Sequence, residues 1–217
     1  MKVGILVPTL WRPHIMKWFV MKMKEVTPPV YKVYFGIHES DRESFGAALE
    51  IVGTCPSDVV VSKKHSANYK LNKMFDKMEE PFGLWTADRI EFPVGWLEYC
   101  LGHMEKSPEL KVVGIANIWE PNSTCAFFVR RGYEGVVDCP GKLCNDDYEH
   151  EFADTEFKHT AIKRGVYLHS KNDGVFATHH TTRYKDSIFP YDETNRKSLD
   201  RYDECKELFE SRRHLFD

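Results

Sequence analysis

The feature that most limits the fold of this chain is an alternation in its first half. Short apolar runs, each closing on polar residues, take turns with longer amphipathic runs. Met1 to Val7 reads as a buried strand in which Lys2 is the only charge, and Pro8-Thr9-Leu10 turns into a helical stretch whose start suits Pro13. Val30 to Ile37 is β-branched and aromatic, follows Pro28-Pro29, and ends at His38-Glu39-Ser40-Asp41, which predicts a second strand. A helix around Ser44 to Val52, a strand at Asp58 to Ser62 and a helix from Ala67 to Met78 follow. Phe82 to Thr86 is a fourth strand closed by Ala87-Asp88-Arg89, and Pro93-Val94-Gly95-Trp96 opens a helix through Met104. Strand and helix in alternation predict an α/β fold: a mixed, mostly parallel sheet with helices on both faces.

The second half is less regular. Lys111 to Ala116, Cys125 to Arg130, Val166 to Leu168 and Val175 to Thr178 have strand character, and Asp154 to Arg164 has helical character. From Tyr184 the chain is highly charged with few apolar anchors, which predicts an exposed helix around Ser198 to Arg212 or a partly ordered tail. The expected organisation is one domain over 1–183 and a charged helical extension over 184–217.

A chain of 217 residues, 42% hydrophobic, can bury one sizeable core. Its net charge of −3 advertises neither a nucleic-acid binder nor a partner of acidic membranes, though a local basic face stays open. The run Val3 to Val7 is far shorter than a membrane span or a signal-peptide core, so no membrane insertion is expected and the chain is expected in the cytoplasm. Cys55, Cys100, Cys125, Cys139, Cys144 and Cys205 form no CxxC pair, which points to reduced, mostly buried thiols.

In open α/β sheets ligands collect beyond the carboxyl ends of the strands, where loops converge without disturbing the core. Thr9, Glu39 and Asp88 all fall there. A carboxylate at the end of a short apolar strand is hard to justify as packing; Asp88 is either a ligand of a hard cation or a cap or partner of Arg89. Asp154 heads a predicted helix, where it is a candidate base, a helix cap, or both. His179-His180 closes a late strand, and adjacent strand residues point to opposite faces, so at most one reaches a shared cation.

Leu84-Trp85-Thr86-Ala87-Asp88-Arg89-Ile90-Glu91-Phe92-Pro93-Val94-Gly95-Trp96-Leu97 resembles the acidic metal motif of family 2-like GT-A glycosyltransferases, with Thr86 at the first acidic position. Ile5-Leu6-Val7-Pro8-Thr9-Leu10 resembles that family's opening strand and donor loop, and Phe35-Gly36-Ile37-His38-Glu39-Ser40-Asp41 its second strand. Lys70-Leu71-Asn72 stands where relatives carry a basic-x-Asn element, and Phe152-Ala153-Asp154-Thr155-Glu156-Phe157 resembles the second acidic motif, with Ala153 for its first acid.

The resemblance implies a GT-A, Rossmann-like fold and transfer of a sugar from a nucleotide-diphosphate sugar, most often a UDP-sugar, to a hydroxyl with inversion. It implies Mn2+ or Mg2+ at Asp88 with His180 or His179, and a base at Asp154. It implies donor contacts from Pro8, Thr9, Glu39, Asp41, Lys70, Asn72, Ala87, Asp88 and Arg89, and acceptor-side roles for Trp96 and Glu156. The compact length and these motifs also resemble short glycosyltransferases of tailed bacteriophages, some of which glycosylate hydroxymethylated pyrimidines in DNA. That resemblance implies a DNA acceptor in a host cytoplasm. The alternatives are a surface or lipid-linked glycan as acceptor, a sugar-nucleotide-binding protein without catalysis, and a metal-dependent nuclease or phosphoesterase, whose two-metal site needs several convergent carboxylates.

Overall fold

The computed structural model describes residues 3–149, 151–181, 188–189, 196 and 200–216. The strands among them are β1 (Val3–Pro8), β2 (Tyr31–His38), β3 (Ser57–Ser62), β4 (Phe82–Trp85), β5 (Ile90–Glu91), β6 (Val112–Asn117), β7 (Thr124–Arg130), β8 (Tyr167–His169) and β9 (Phe176–His179). The helices are α1 (Pro13–Val26), α2 (Arg42–Val52), α3 (Ala67–Lys77), α4 (Trp96–Lys106), α5 (Ala153–Lys163) and α6 (Tyr202–Arg212). The strands form one sheet in the order β3-β2-β1-β4-β7-β6-β9-β5, with β8 beside β6. β3, β2, β1 and β4 run parallel, β7 lies antiparallel between β4 and β6, and β5 pairs antiparallel with β9.

Side-chain alternation along the strands splits the interior into two layers. Ile5 and Val7, Val33, Phe35 and Ile37, Val113 and Ile115 face one cluster, covered by Phe19 and Met23 of α1, Ile51 of α2, and Trp96, Cys100 and Met104 of α4. Leu6, Tyr34, Val112 and Phe127 face the other, covered by Leu71 and Met74 of α3, Phe157 of α5 and Phe209 of α6. The mixed α/β fold with helices on both faces is therefore as the alternation predicts. The late strands and α5 also fall within a residue or two of their expected positions. All six cysteines are free.

One close approach sets the position of α3. A Cβ added at Gly36 would sit 2.8 Å from the Cβ of Lys70, so only glycine lets this helix press onto β2. The result is that Lys70 lies directly beneath the carboxyl end of β1.

Two elements differ from expectation. β5 is a two-residue strand that only the pairing with β9 creates. The carboxyl-terminal helix, exposed over most of its length as expected, is also docked: its Cys205 and Phe209, and Phe216 beyond it, are buried in the second core layer. Residues 182–187, 190–195 and 197–199, which include much of the expected extension, lie outside the described residues. Among the described residues no helix is long and apolar enough to cross a membrane.

Candidate functional site

A cleft of ≈ 470 Å³ opens at the carboxyl ends of β1 and β4. Its lining includes Thr9, Arg12, Lys70, Asp88, Asp154 and His179. The parallel ladder continues one step past the strands: Thr9 N donates to Gly36 O at 3.0 Å and Thr86 N to Leu6 O at 3.2 Å. The loops after β1 and β4 therefore leave the sheet side by side.

Asp88 joins those two loops. It is 1% exposed, its Oδ2 accepts from Thr9 Oγ1 at 2.8 Å, and its Oδ1 accepts from Arg12 Nη1 at 3.3 Å. From below, Lys70 Nζ donates to the Thr9 carbonyl at 2.9 Å. Lys70 is itself 1% exposed, and burial pulls its ammonium down to about 8, against the opposing pull of Asp41 and Asp88. A buried lysine, two loops and one carboxylate thus form a single connected floor.

The loop carrying Arg12 is fixed by the start of α2. Asp41, 1% exposed, accepts from Trp11 N through Oδ2 at 2.5 Å and from Ser44 N through Oδ1 at 3.0 Å. Arg12 N donates to Ser44 Oγ at 3.2 Å. Trp11 holds φ at +52°, and Phe152, immediately before α5, holds +69°; they are the two non-glycine residues in the left-handed region among those described. Left-handed backbone costs a non-glycine residue on the order of 1 to 2 kcal/mol, and it persists where surrounding contacts over-determine it. Both strained residues directly precede segments that line the cleft.

Asp154, exposed at the head of α5, lies in the first helical turn. Phe152 is the cap, so the capping role considered for Asp154 is not the one it plays; its Oδ1 instead accepts from Thr155 N at 2.8 Å. With Glu120, Glu149 and Glu151 it contributes the acidic residues of the cleft lining, while Arg12, Lys70 and Arg89 are among its basic ones.

Of the expected site residues, Pro8, Thr9, Lys70, Ala87, Asp88, Arg89, Asp154 and His179 share this cleft. The others do not, and all of them but Glu39 have a structural occupation. Asp41 caps α2 and pins Trp11, as above. Asn72 ties down the chain at 143–144: its Oδ1 accepts from Leu143 N and Cys144 N, both at 3.1 Å, and its Nδ2 donates to Cys144 O at 2.8 Å. Trp96 is not on an acceptor surface but fully buried, with its indole N–H donating to Thr27 Oγ1 at 3.0 Å. Glu156 is equally withdrawn, held by Tyr148 OH at 2.7 Å and by Arg212 at 2.8 Å. Glu39 is exposed and outside the lining.

The histidine pair resolves by register. Pairing of His179 with Ile90 leaves His179 on the cleft, and His180 turns away to Glu91 at 3.1 Å, with its ring edge-on to Trp18. Arg12, outside the expected set, entered the site because the turn before Pro13 carries it there. The signal available was a basic residue between a strand end and a proline-started helix.

No family model matches the chain, and no curated protein matches it. Solved structures do. S. aureus TarS (1–349) in complex with UDP is similar with a TM-score of 0.62 and 11% identity, over 78% of this chain and 57% of that one. The mannosyltransferase PcManGT from Pyrobaculum calidifontis, in complex with GDP-Man and Mn2+, is similar with a TM-score of 0.60 and 13% identity, over 77% of this chain and 53% of that one. This chain therefore spans little more than half the length of either. At such identities the likeness is one of fold: a mixed α/β architecture shared with GT-A glycosyltransferases.

Proposed function

We propose that the chain is a glycosyltransferase that takes a sugar from a nucleotide-diphosphate sugar and places it on an acceptor hydroxyl with inversion. One observation carries this reading: the cation-bearing floor of Arg12 and Lys70 and the exposed carboxylate of Asp154 open into the same cleft, at the carboxyl edge of the sheet. Supporting it, the same architecture holds UDP in one neighbour and GDP-Man in another.

In this reading the donor's diphosphate lies over the loops after β1 and β4, with Lys70 and Arg12 meeting its oxygens. Asp154 accepts the acceptor hydroxyl's proton as its oxygen bonds to the anomeric carbon and the bond from that carbon to the diphosphate breaks. A base facing the side opposite the leaving group gives inversion. UDP and GDP are both candidate nucleotides.

A divalent cation, Mn2+ or Mg2+, is the remaining expectation, and the residues present fit it poorly. Both Asp88 oxygens are already engaged by Thr9 and Arg12. Among the described residues no three His, Cys, Asp or Glu side chains come together as a metal site. Hard cations take six or more oxygens, and a lone, engaged carboxylate supplies few of them. No step here is routed through a metal.

For the acceptor, the four carboxylates of Glu120, Glu149, Glu151 and Asp154 favour a neutral, hydroxyl-rich glycan. A hydroxymethylated pyrimidine in DNA, the acceptor implied by the phage resemblance, would bring phosphates against them.

The test is turnover. Release of nucleoside diphosphate from the cognate sugar nucleotide should fall by about 10²- to 10⁴-fold in Asp154→Asn, with donor affinity retained. Anomeric proton signals of the product should show the configuration opposite to the donor's. Binding without turnover by the unaltered chain, across glycan acceptors, would instead identify a sugar-nucleotide-binding protein.

A further inference from the structure

We propose that Trp119 forms an acceptor subsite at the rim of the cleft: its indole takes the apolar face of a sugar ring next to the one that reacts, so that the acceptor is a glycan of two or more units. The inference rests on the glycosyltransferase reading above and extends its acceptor side.

Topology puts Trp119 at the right edge of the sheet. β4 runs parallel to β1, β7 antiparallel to β4, and β6 antiparallel to β7. The carboxyl end of β6 therefore emerges where those of β1 and β4 do, and the loop from β6 to β7 leaves from the edge at which the cleft opens. Asn117 before Trp119, and Glu120, Ser123 and Thr124 after it, line that cleft together with Asp154.

The loop is held in one shape. Asn117 Oδ1 accepts from Trp119 N at 3.2 Å, and Asn117 N donates to Ser123 O at 3.2 Å. Glu120 O accepts from both Ser123 N and Ser123 Oγ at 2.8 Å, and Ile118 N donates to Ala177 O of β9 at 2.9 Å. Lys158 Nζ donates to Asn122 O at 3.0 Å. Lys158 stands one helical turn after Asp154 on α5, so the loop is tied to the helix that carries the proposed base. A surface fixed in this way loses little freedom when a ligand settles on it.

That fixed loop holds two neighbouring apolar side chains at solvent. Ile118 is 49% exposed, and Trp119, held within the chain as it is, still leaves 40% of its surface to water. Single exposed apolar residues are ordinary, but an adjacent pair on a pinned loop at the mouth of a cleft marks a binding surface. A pyranose ring has C–H groups across its face and hydroxyls around its edge. A flat aromatic at a solvent boundary covers the face and leaves the edge hydrated, so no polar group is buried unsatisfied. A nucleobase also stacks on indole, but it brings phosphates, and the residue after Trp119 is a carboxylate lining the cleft.

The experiment follows the indole N–H signals of the full chain by heteronuclear NMR. The chain has five tryptophans, and the signal of Trp119 is the one lost in Trp119→Phe. Melting with UDP and with GDP first identifies the nucleotide that binds. With it present, the chain is titrated with mono-, di- and trisaccharides of α- and β-linked glucose, N-acetylglucosamine and mannose, and with an oligodeoxynucleotide containing hydroxymethylcytosine. The same titrations are run on Trp119→Ala, whose unliganded melting reports that it folds and whose sedimentation reports its assembly state.

Di- and trisaccharides of one series should shift the Trp119 signal in a saturable way, and the monosaccharide far less. Folded Trp119→Ala should bind the disaccharide about tenfold more weakly, and Trp119→Phe should retain most of the affinity. A signal that no saccharide moves, or that the monosaccharide moves as much, overturns the subsite. So does folded Trp119→Ala that binds like the unaltered chain, a response to the oligodeoxynucleotide alone, or an oligomer that Trp119→Ala dissociates. These outcomes leave the glycosyltransferase reading standing as long as UDP or GDP raises the melting temperature. A chain that binds neither nucleotide overturns that reading, and the acceptor role with it.

Discussion

Lys70 is the residue whose position is hardest to explain by stability. It is buried, it meets one carbonyl among the described residues, and its ammonium is lowered to about 8 from 10.5. Because the folded value lies below the unfolded one, the unfolded chain holds this proton between those two pH values and the folded chain does not. Stability therefore rises with pH across that window, and the destabilisation is present in full below pH 8. Lys70→Met keeps the volume and removes the charge. Denaturant unfolding should find the variant at least as stable as the unaltered chain at about pH 7.5, with the difference shrinking by about pH 9.5. The same variant should lose nucleoside-diphosphate binding. A variant markedly less stable at both pH values would show that Lys70 serves the fold.

The residues that left the candidate set share a physical reason. Asp41 is bonded to Trp11 thirty positions away, Asn72 to Cys144 across seventy-two, and Glu156 to Arg212 across fifty-six. Motif spacing places such side chains near a site, but their partners come from tertiary structure, which local pattern does not contain. The strand-end residues Thr9 and Asp88 were legible because the carboxyl edge of a parallel sheet is fixed by the same pattern that fixes the strands. Arg12 was not, because its place depends on the left-handed turn at Trp11.

At the scale of elements, the first four strands and the helices between them follow from apolar periodicity, since period 2 and period 3.6 leave distinct marks. β5 has two residues and no pattern to read. α6 was legible as a helix, but its docking was not, because its buried positions, Cys205 and Phe209, stand within a run dominated by charge. What fastens it is an ion-pair clamp: Arg212 bonds Glu156 of α5 at 2.8 and 3.0 Å and Asp138 at 2.6 and 2.8 Å, holding the Asp138 carboxyl below the usual range. Glu156 is 1% exposed, so removing its cation leaves a buried, unpaired carboxylate. Arg212→Met should cost about 3 to 5 kcal/mol in denaturant unfolding, and adding Glu156→Gln should restore much of it. Equal losses in the single and double variants would show that the clamp contributes only packing.

At the scale of the whole molecule, net charge conceals the arrangement that matters. The chain totals −3, yet one cleft is lined both by Arg12, Lys70 and Arg89 and by Glu120, Glu149, Glu151 and Asp154. This mixed lining arises because loops from both halves of the sheet converge on one cleft.

The most direct measurement is the melting temperature of the full chain against a panel of UDP- and GDP-sugars, with the corresponding nucleoside monophosphates beside them. A ligand that binds only the folded state raises its stability by about 2.7 kcal/mol at a hundredfold excess over Kd. One sugar nucleotide should therefore raise the melting temperature in a saturable way while its monophosphate does far less, because the second phosphate is what the floor recognises. A panel in which no sugar nucleotide shifts the transition would contradict the account at its root.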